Sequence, residues 1–514
     1  MALQSLILLL SLLPLFITPS IASQNTTQES FLHCLSHHHP LPTYTPNTTS
    51  YNTLLNSTFH NLRFATSASA AEPVLIIAPA DEAQAQASVA CARAHRLNVR
   101  IRSGGHDYEG LSYRTLSDRP FAILDLSNLR EIDVDVENGF AWVQSGAILG
   151  ELYYKVAQAS KTHGFPAGLC PTIGVGGHLS GGGFGTMLRQ QGIAADHVID
   201  ARVIDARGRI LDRASMGEDL FWAIRGGGGA SFCVIISYKV FPVPPTVTVF
   251  TINRTLAQGA TRLVHKWQTV APRLDRRLFV RTLLSGSGAA AFNSMFLGAR
   301  EELMRIMDQR FPELGLKAED CFEMSWIESA VYFAVSKIGQ PTEVLLDRSL
   351  STYPAFKAKS DFVREPIPEE VLEAIFGWLK GKTVVMLMDP WGGRMDDVSE
   401  SEIPFPHRAG NLYNIQYYDY MASSKGHVEW LRRFYEYMGA YVSKGPRRAY
   451  LNYRDLDLGW NEEGNETSFE EGEVWGRKYF VGNYERLALV KGVVDPGNFF
   501  RNEQSIPPLI VKGY

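Results

Sequence analysis

A marked excess of either charge is what this 514-residue chain most plainly lacks: 50 basic residues face 54 acidic ones, for a formal net charge of −4. No block of like charges occurs, so neither nucleic acid nor an anionic membrane surface is an expected partner. After the first twenty residues no apolar run reaches the roughly 18 residues a membrane span needs. Internal repeats and low-complexity tracts are missing too. So is a G-x-G-x-x-G turn followed by an acidic ribose ligand, which argues against a nicotinamide site. No metal site is expected, and oligomeric state is not readable. Cysteine is scarce and odd in number: Cys34, Cys91, Cys170, Cys233 and Cys321. An odd count leaves at least one thiol outside any disulfide.

The N-terminus supplies a first positive signal. Leu3 to Ile17 form a leucine-rich run followed by Pro19, Ser20, Ala22 and Ser23, which reads as a secretory signal peptide over 1–23 with cleavage near 22–23. N-x-S/T sequons begin at Asn25, Asn47, Asn56, Asn253 and Asn465, as expected of a glycoprotein that is secreted or sent to the vacuole. The length predicts two domains. VLIIAP, an alanine-rich helix at 81–95 and NVRIR make a strand-helix-strand beginning, and short strands follow at 122–129, 140–147 and 198–205. Pro242, Pro244 and Pro245 mark a boundary. Beyond it, helices are predicted at 299–310 and 366–381, with strands in LFVRTLL, TVVMLMD and NLYNIQYYDY. The divisions expected are 24–245, 246–450 and 451–514.

Two glycine-rich loops carry the chemistry: RSGGHDYEG at 102–110 and GLCPTIGVGGHLSGGGFG at 168–185. Imidazole and thiolate suit attack on an electron-poor ring, and glycines let backbone N–H groups approach a pyrophosphate. Together with NYRDLDLG at 452–459 and DPGNFFRNEQSIPP at 495–508, these motifs resemble the berberine bridge enzyme-like family of plant flavoproteins, within the vanillyl-alcohol-oxidase-type superfamily. The likeness runs from about residue 30 to 508.

That resemblance implies an α+β fold: a PCMH-type FAD-binding domain plus a substrate domain whose antiparallel sheet is covered by helices, with the last segment returning to the FAD domain. It implies FAD attached covalently at His106 and Cys170, a Cys34–Cys91 disulfide, and an oxidoreductase that uses oxygen or another electron acceptor. Arg102, Ser103, Gly104 and Gly105 would hold the pyrophosphate, Arg102 alternatively being structural. Backbone amides of Gly174, Val175, Gly176 and Gly177 would serve the flavin. His178 would face its pyrimidine edge, where a donor or positive group is wanted; the alternative is a histidine capping a turn. Tyr453 is the expected base, with Arg454 favouring phenolate. The alternative is that Tyr453 packs and Arg454 pairs with Asp455 or Asp457.

Gln416 stands where alkaloid-cyclising members carry glutamate, and Asn414 shares its face by strand alternation. By the same resemblance Phe184 replaces a common tyrosine, Ile173 would sit at an oxygen gate, and Cys233 replaces a usual glycine. Trp391 and the tyrosine-rich stretch 413–420 are expected around the substrate, half of them as core. The leading expectation is hydride transfer from an aromatic alcohol or carbohydrate. An oxidative or redox-neutral cyclase stands as alternative, given Phe184, Gln190, Gln191, Asn414 and Cys233; a silent flavin- or sugar-binding protein stands as a third.

Overall fold

The computed structural model describes residues 20–38, 41–57, 59–65, 72–240, 246–350, 355–421, 424–461 and 467–511. Residues 1–19 of the expected signal segment, Asn465 and the proline break at 241–245 lie outside them. A helix Ser20–Ser36 runs across the expected cleavage point. Asn47, Asn56 and Asn253 are exposed.

The strand-helix-strand beginning forms as its pattern dictates. Leu75–Ile77 and Asn98–Arg102 both pair in parallel with Phe121–Asp125, which lies between them. The connecting helix Glu82–Ala94 starts where the Asp81 carboxylate accepts the Gln84 N–H, a standard N-cap. Its inner face buries Ala85, Val89 and Cys91, and Cys91 is bonded to Cys34. Cys233 and Cys321 are buried thiols. A second, wholly antiparallel sheet runs in the order Ile132–Asp135, Phe140–Gln144, Val234–Val240, Val198–Ile204, Ile210–Leu211. Its core takes in the last helices: Trp475 and Tyr479 of Phe469–Phe480 and Leu487 of Tyr484–Val494 pack with Leu152, Val203 and Phe232. The C-terminal segment thus closes back on the N-terminal half.

The third sheet is seven-stranded and antiparallel, in the order Phe322–Ser325, Thr246–Thr255, Ala289–Phe296, Leu278–Ser285, Val384–Pro390, Tyr413–Asp419, Lys357–Val363. Successive residues of a strand face opposite sides. One side is apolar: Leu278, Val280, Val384, Met386, Met388, Tyr413, Ile415 and Tyr417 pack against Trp267, Ile375 and Phe434, which come from helices Ala260–Val270, Glu369–Leu379 and Lys425–Met438. The intervening residues Phe279, Arg281, Val385, Leu387, Asp389, Gln416 and Tyr418 turn to the other side and line a cavity. Register fixes the layout there: Gln416 lies opposite Leu387, and Asn414 opposite Asp389.

Candidate active site

The cavity has a volume of about 550 Å³ and is walled on one side by the sheet and on the other by both glycine loops. The first loop leaves the strand Asn98–Arg102. Arg102 itself turns away from the cavity: fully buried, its Nε donates to Asp125 Oδ2 at 2.8 Å and its Nη2 to Leu54 O at 3.2 Å. Its expected role at a pyrophosphate is therefore corrected to the structural alternative, since a guanidinium tied to Asp125 in the core has no reach to a ligand. Ser103, Gly104 and Gly105 do line the cavity. Glycine is required at 104, because a Cβ there would lie 2.3 Å from Gly174 N, where the two loops meet.

In the second loop the expected donor set needs correcting as well. Val175 is core, and its N–H goes to Ala147 O at 2.8 Å, while that of Gly176 goes to Ser145 O at 3.2 Å. Gly177 faces open cavity, since a Cβ there would meet no atom within 4 Å. This bare backbone beside Gly174, Gly176 and Gly177 fits a flat cofactor lying close, and the same wall carries both attachment candidates. His106 Nε2 lies 3.0 Å from Thr172 Oγ1, which in turn lies 3.4 Å from Cys170 Sγ. Thr172 thus holds the imidazole and the thiol to one point. His106 also stacks on His60, centroids 3.7 Å apart. Burial, with His60 adding to it, drives the His106 pKa well below its usual value. The neutral imidazole this enforces is the nucleophilic form.

His178 shares features of both expectations. Its Nε2 accepts the Gly168 N–H at 3.0 Å, and burial lowers its pKa to about 4. A neutral ring whose Nε2 accepts must carry its proton on Nδ1, so on the cavity wall His178 is an uncharged donor and not a positive group.

On the sheet side, Tyr453 and Tyr108 stack with centroids 5.5 Å apart and planes 9° from parallel, and Gln416 Nε2 donates to the Tyr108 hydroxyl at 2.7 Å. Arg454 does not assist Tyr453. Its Nε donates to Asp107 at 2.7 Å, a partner that neither expectation named. Burial raises the Tyr453 pKa well above that of a free phenol; Tyr108, Asp389 and Tyr450 push it the same way, and Arg281 opposes. The phenol is held neutral, the reverse of what a base requires. Asn414 shares the face of Gln416 but stops short of the cavity wall: it is fully buried and donates to Asp361 O at 2.9 Å. Trp391 is likewise core, its indole N–H on His407 O at 2.7 Å and its ring edge-on to Phe184. Phe184, Ile173 and Cys233 do line the cavity; burial pushes the Cys233 thiol far above its usual pKa, which keeps it inert.

Sequence reasoning missed His60, Tyr108, Arg281 and Asp389. Tyr108 had a signal, two residues beyond His106 in the same loop. Arg281 and Asp389 had a weaker one, as polar breaks on one face of otherwise apolar strands.

A model of an FAD binding domain matches residues 73–213, and a berberine and berberine-like model matches 449–507. The chain is 50% identical to tetrahydroberberine oxidase of Berberis wilsoniae over 97% of each chain. Among solved structures it superposes on Phl p 4, a grass pollen allergen with glucose dehydrogenase activity, with a TM-score of 0.91 and 46% identity over 94% of this chain and all of that one; an isoleucine-to-valine variant of that allergen is a glucose oxidase. It also superposes on a histidine-to-alanine variant of berberine bridge enzyme in complex with (S)-reticuline, with a TM-score of 0.88 and 39% identity over 94% and 99% of the two chains. With both glycine loops, the closing motif and 97% of the chain matched by a relative at 50% identity, the chain belongs to the berberine bridge enzyme-like family of FAD-dependent oxidoreductases.

Proposed function

We propose that this enzyme oxidises an alcohol, aromatic or carbohydrate, with FAD held covalently by His106 and Cys170, and that it works beyond the secretory pathway, outside the cell or in the vacuole. The observation that carries the reading is that one cavity is lined by His106 and Cys170 together with Tyr108, Tyr453, Gln416 and the Arg281–Asp389 pair. When bound there, FAD supplies a two-electron acceptor. Gln416 fixes the Tyr108 hydroxyl, and the stack of Tyr108 on Tyr453 fixes the second phenol, so the neutral Tyr453 O–H presents a donor to a substrate oxygen. Phe279, Phe356 and Leu387 supply apolar surface for a ring, sugar or aromatic. The glucose dehydrogenase activity of one structural relative supports the alcohol reading. Tetrahydroberberine oxidase at 50% identity favours a second one, oxidation or cyclisation of a larger aromatic substrate on the same site.

Anaerobic stopped-flow absorbance of the flavoprotein tests this against cinnamyl-type alcohols, simple sugars and prenylated phenols. Bleaching by the first or second class is expected. Bleaching by prenylated phenols alone would favour the second reading, and none at all would count against oxidation.

Ile173 lines the cavity three residues after Cys170, and its extra methylene over valine narrows the space at the flavin site. Ile173→Val is expected to raise the rate of reoxidation by oxygen by roughly an order of magnitude, about 1.4 kcal/mol of barrier, with anaerobic reduction unchanged. Oxygen-electrode traces on the two proteins check it; equal rates would remove Ile173 as the gate.

A further inference from the structure

The cavity wall holds two carboxylates, and they differ in their commitments. Asp107 is fully engaged: Oδ2 accepts from Arg454, and Oδ1 from the N–H groups of Glu109 and Leu111. Asp389 is not. It is 2% exposed, and among the described residues its one charged neighbour is Arg281, whose Nε lies 3.1 Å from Oδ1. That contact is misaligned for a hydrogen bond, and both Arg281 Nε and Asp389 Oδ2 lack a hydrogen-bond partner among the described residues. The buried Arg447–Asp361 pair, by contrast, engages both carboxylate oxygens, at 2.7 and 2.6 Å, and a buried charge left half-satisfied is costly. The Arg281–Asp389 pair is instead incomplete toward a substrate cavity.

Its chemistry selects what completes it. A guanidinium only donates and a carboxylate only accepts, so the complement is a group that does both. An ammonium group would satisfy Asp389 alone, and a carboxylate Arg281 alone; a hydroxyl satisfies both. The other polar groups nearby are poor proton acceptors: Gln416 and Asn414 are neutral amides, and the Tyr453 phenol is held protonated.

We propose that Asp389 is the catalytic base of this enzyme, taking the hydroxyl proton of the substrate alcohol while Arg281 holds the oxygen. The assignment rests on the alcohol reading above. The O–H bond breaks with its electron pair forming the C=O bond, the C–H bond breaks as hydride toward oxidised FAD, and the proton stays on the Asp389 carboxylate until solvent removes it. The alcohol loses two electrons and two hydrogens.

The test compares the flavin-loaded wild type with Asp389→Asn, using D-glucose and coniferyl alcohol as probes without oxygen. Flavin absorbance gives the reduction rate, and infrared difference spectra on adding the probe report a protonated carboxyl. The variant is expected to keep its flavin and to be reduced roughly 10²–10⁴-fold more slowly, without the carboxyl band that the wild type gains. Asp389→Ser serves in its place if the asparagine variant does not accumulate folded. Reduction of the wild type by neither probe would overturn the alcohol reading and this assignment with it. Reduction of wild type and variant at similar rates, or a carboxyl band that persists in the variant, would overturn the assignment alone.

Discussion

Replacing both His106 and Cys170 by alanine is expected to release the flavin completely when the protein is precipitated with acid, whereas either single replacement leaves it in the pellet. The two side chains lie on one cavity wall, drawn to one point by Thr172 at 3.0 and 3.4 Å, and each has its own nucleophilic atom. A second tether turns loss of the first into an intramolecular event with a high effective concentration, so one bond suffices for retention. The neutral state of His106, enforced by burial and by the stacked His60, is what makes the imidazole able to react. Flavin absorbance in supernatant and pellet decides the matter. Release from either single variant would show one attachment only, and retention in the double variant would place a bond elsewhere.

Asp455→Asn is expected to cost about 3–5 kcal/mol of stability at neutral pH, the range for removing one partner of a buried charge pair. Asp455 accepts from Lys357 Nζ at 2.6 Å and from Lys359 Nζ at 2.5 Å. Lys357 also pairs with Glu109, and Lys359 with Asp457 at 2.9 Å. The cluster ties the first glycine loop, an edge strand of the seven-stranded sheet and the NYRDLDLG motif together, beside Tyr108 and Tyr453. Burial opposes ionisation of Asp455, but Lys357 and Lys359 win and lower its pKa; Asp457 is lowered too, with Arg432 contributing. A carboxylate depressed by folding contributes stability above its unfolded pKa, near 4, and loses it as pH falls toward the folded value. The gap between wild type and variant should therefore be full at pH 7 and close below about pH 4. Denaturant unfolding at both pH values checks the sign, and a gap that widens in acid would refute the cluster's role. On the lysine side burial lowers, but Asp455 and Glu109 together raise, the pKa of Lys357, so its contribution persists throughout the neutral range.

What was legible in the sequence was what short-range pattern encodes. The strand-helix-strand start, the helices Arg300–Arg310 and Glu369–Leu379 and three strands of the substrate sheet follow from period and punctuation. The loops bearing His106, Cys170 and His178 were readable because glycine, histidine and cysteine cluster within a few residues. What stayed hidden were partnerships across sequence. Arg102 is claimed by Asp125 in the neighbouring parallel strand, and nothing local says that Arg454 reaches back to Asp107, 347 residues away. The neutral state of Tyr453 is likewise a property of its burial, which follows only from the closed fold. Asn414 fell short of the cavity although alternation put it on the correct face, because its amide nitrogen is drawn to Asp361 O.

The alternation of the seven-stranded sheet has a consequence for how such an enzyme changes over time. Positions 279, 281, 385, 387, 389, 416 and 418 meet the substrate space, while their neighbours in the chain meet the helices. A substitution at the first set alters what the cavity recognises and leaves the packing of the second untouched, since adjacent residues share no contacts across the sheet. At the uncharged positions of the first set, new substrates can therefore be reached by single steps that do not threaten the fold, whereas the buried Arg281–Asp389 pair has to change together.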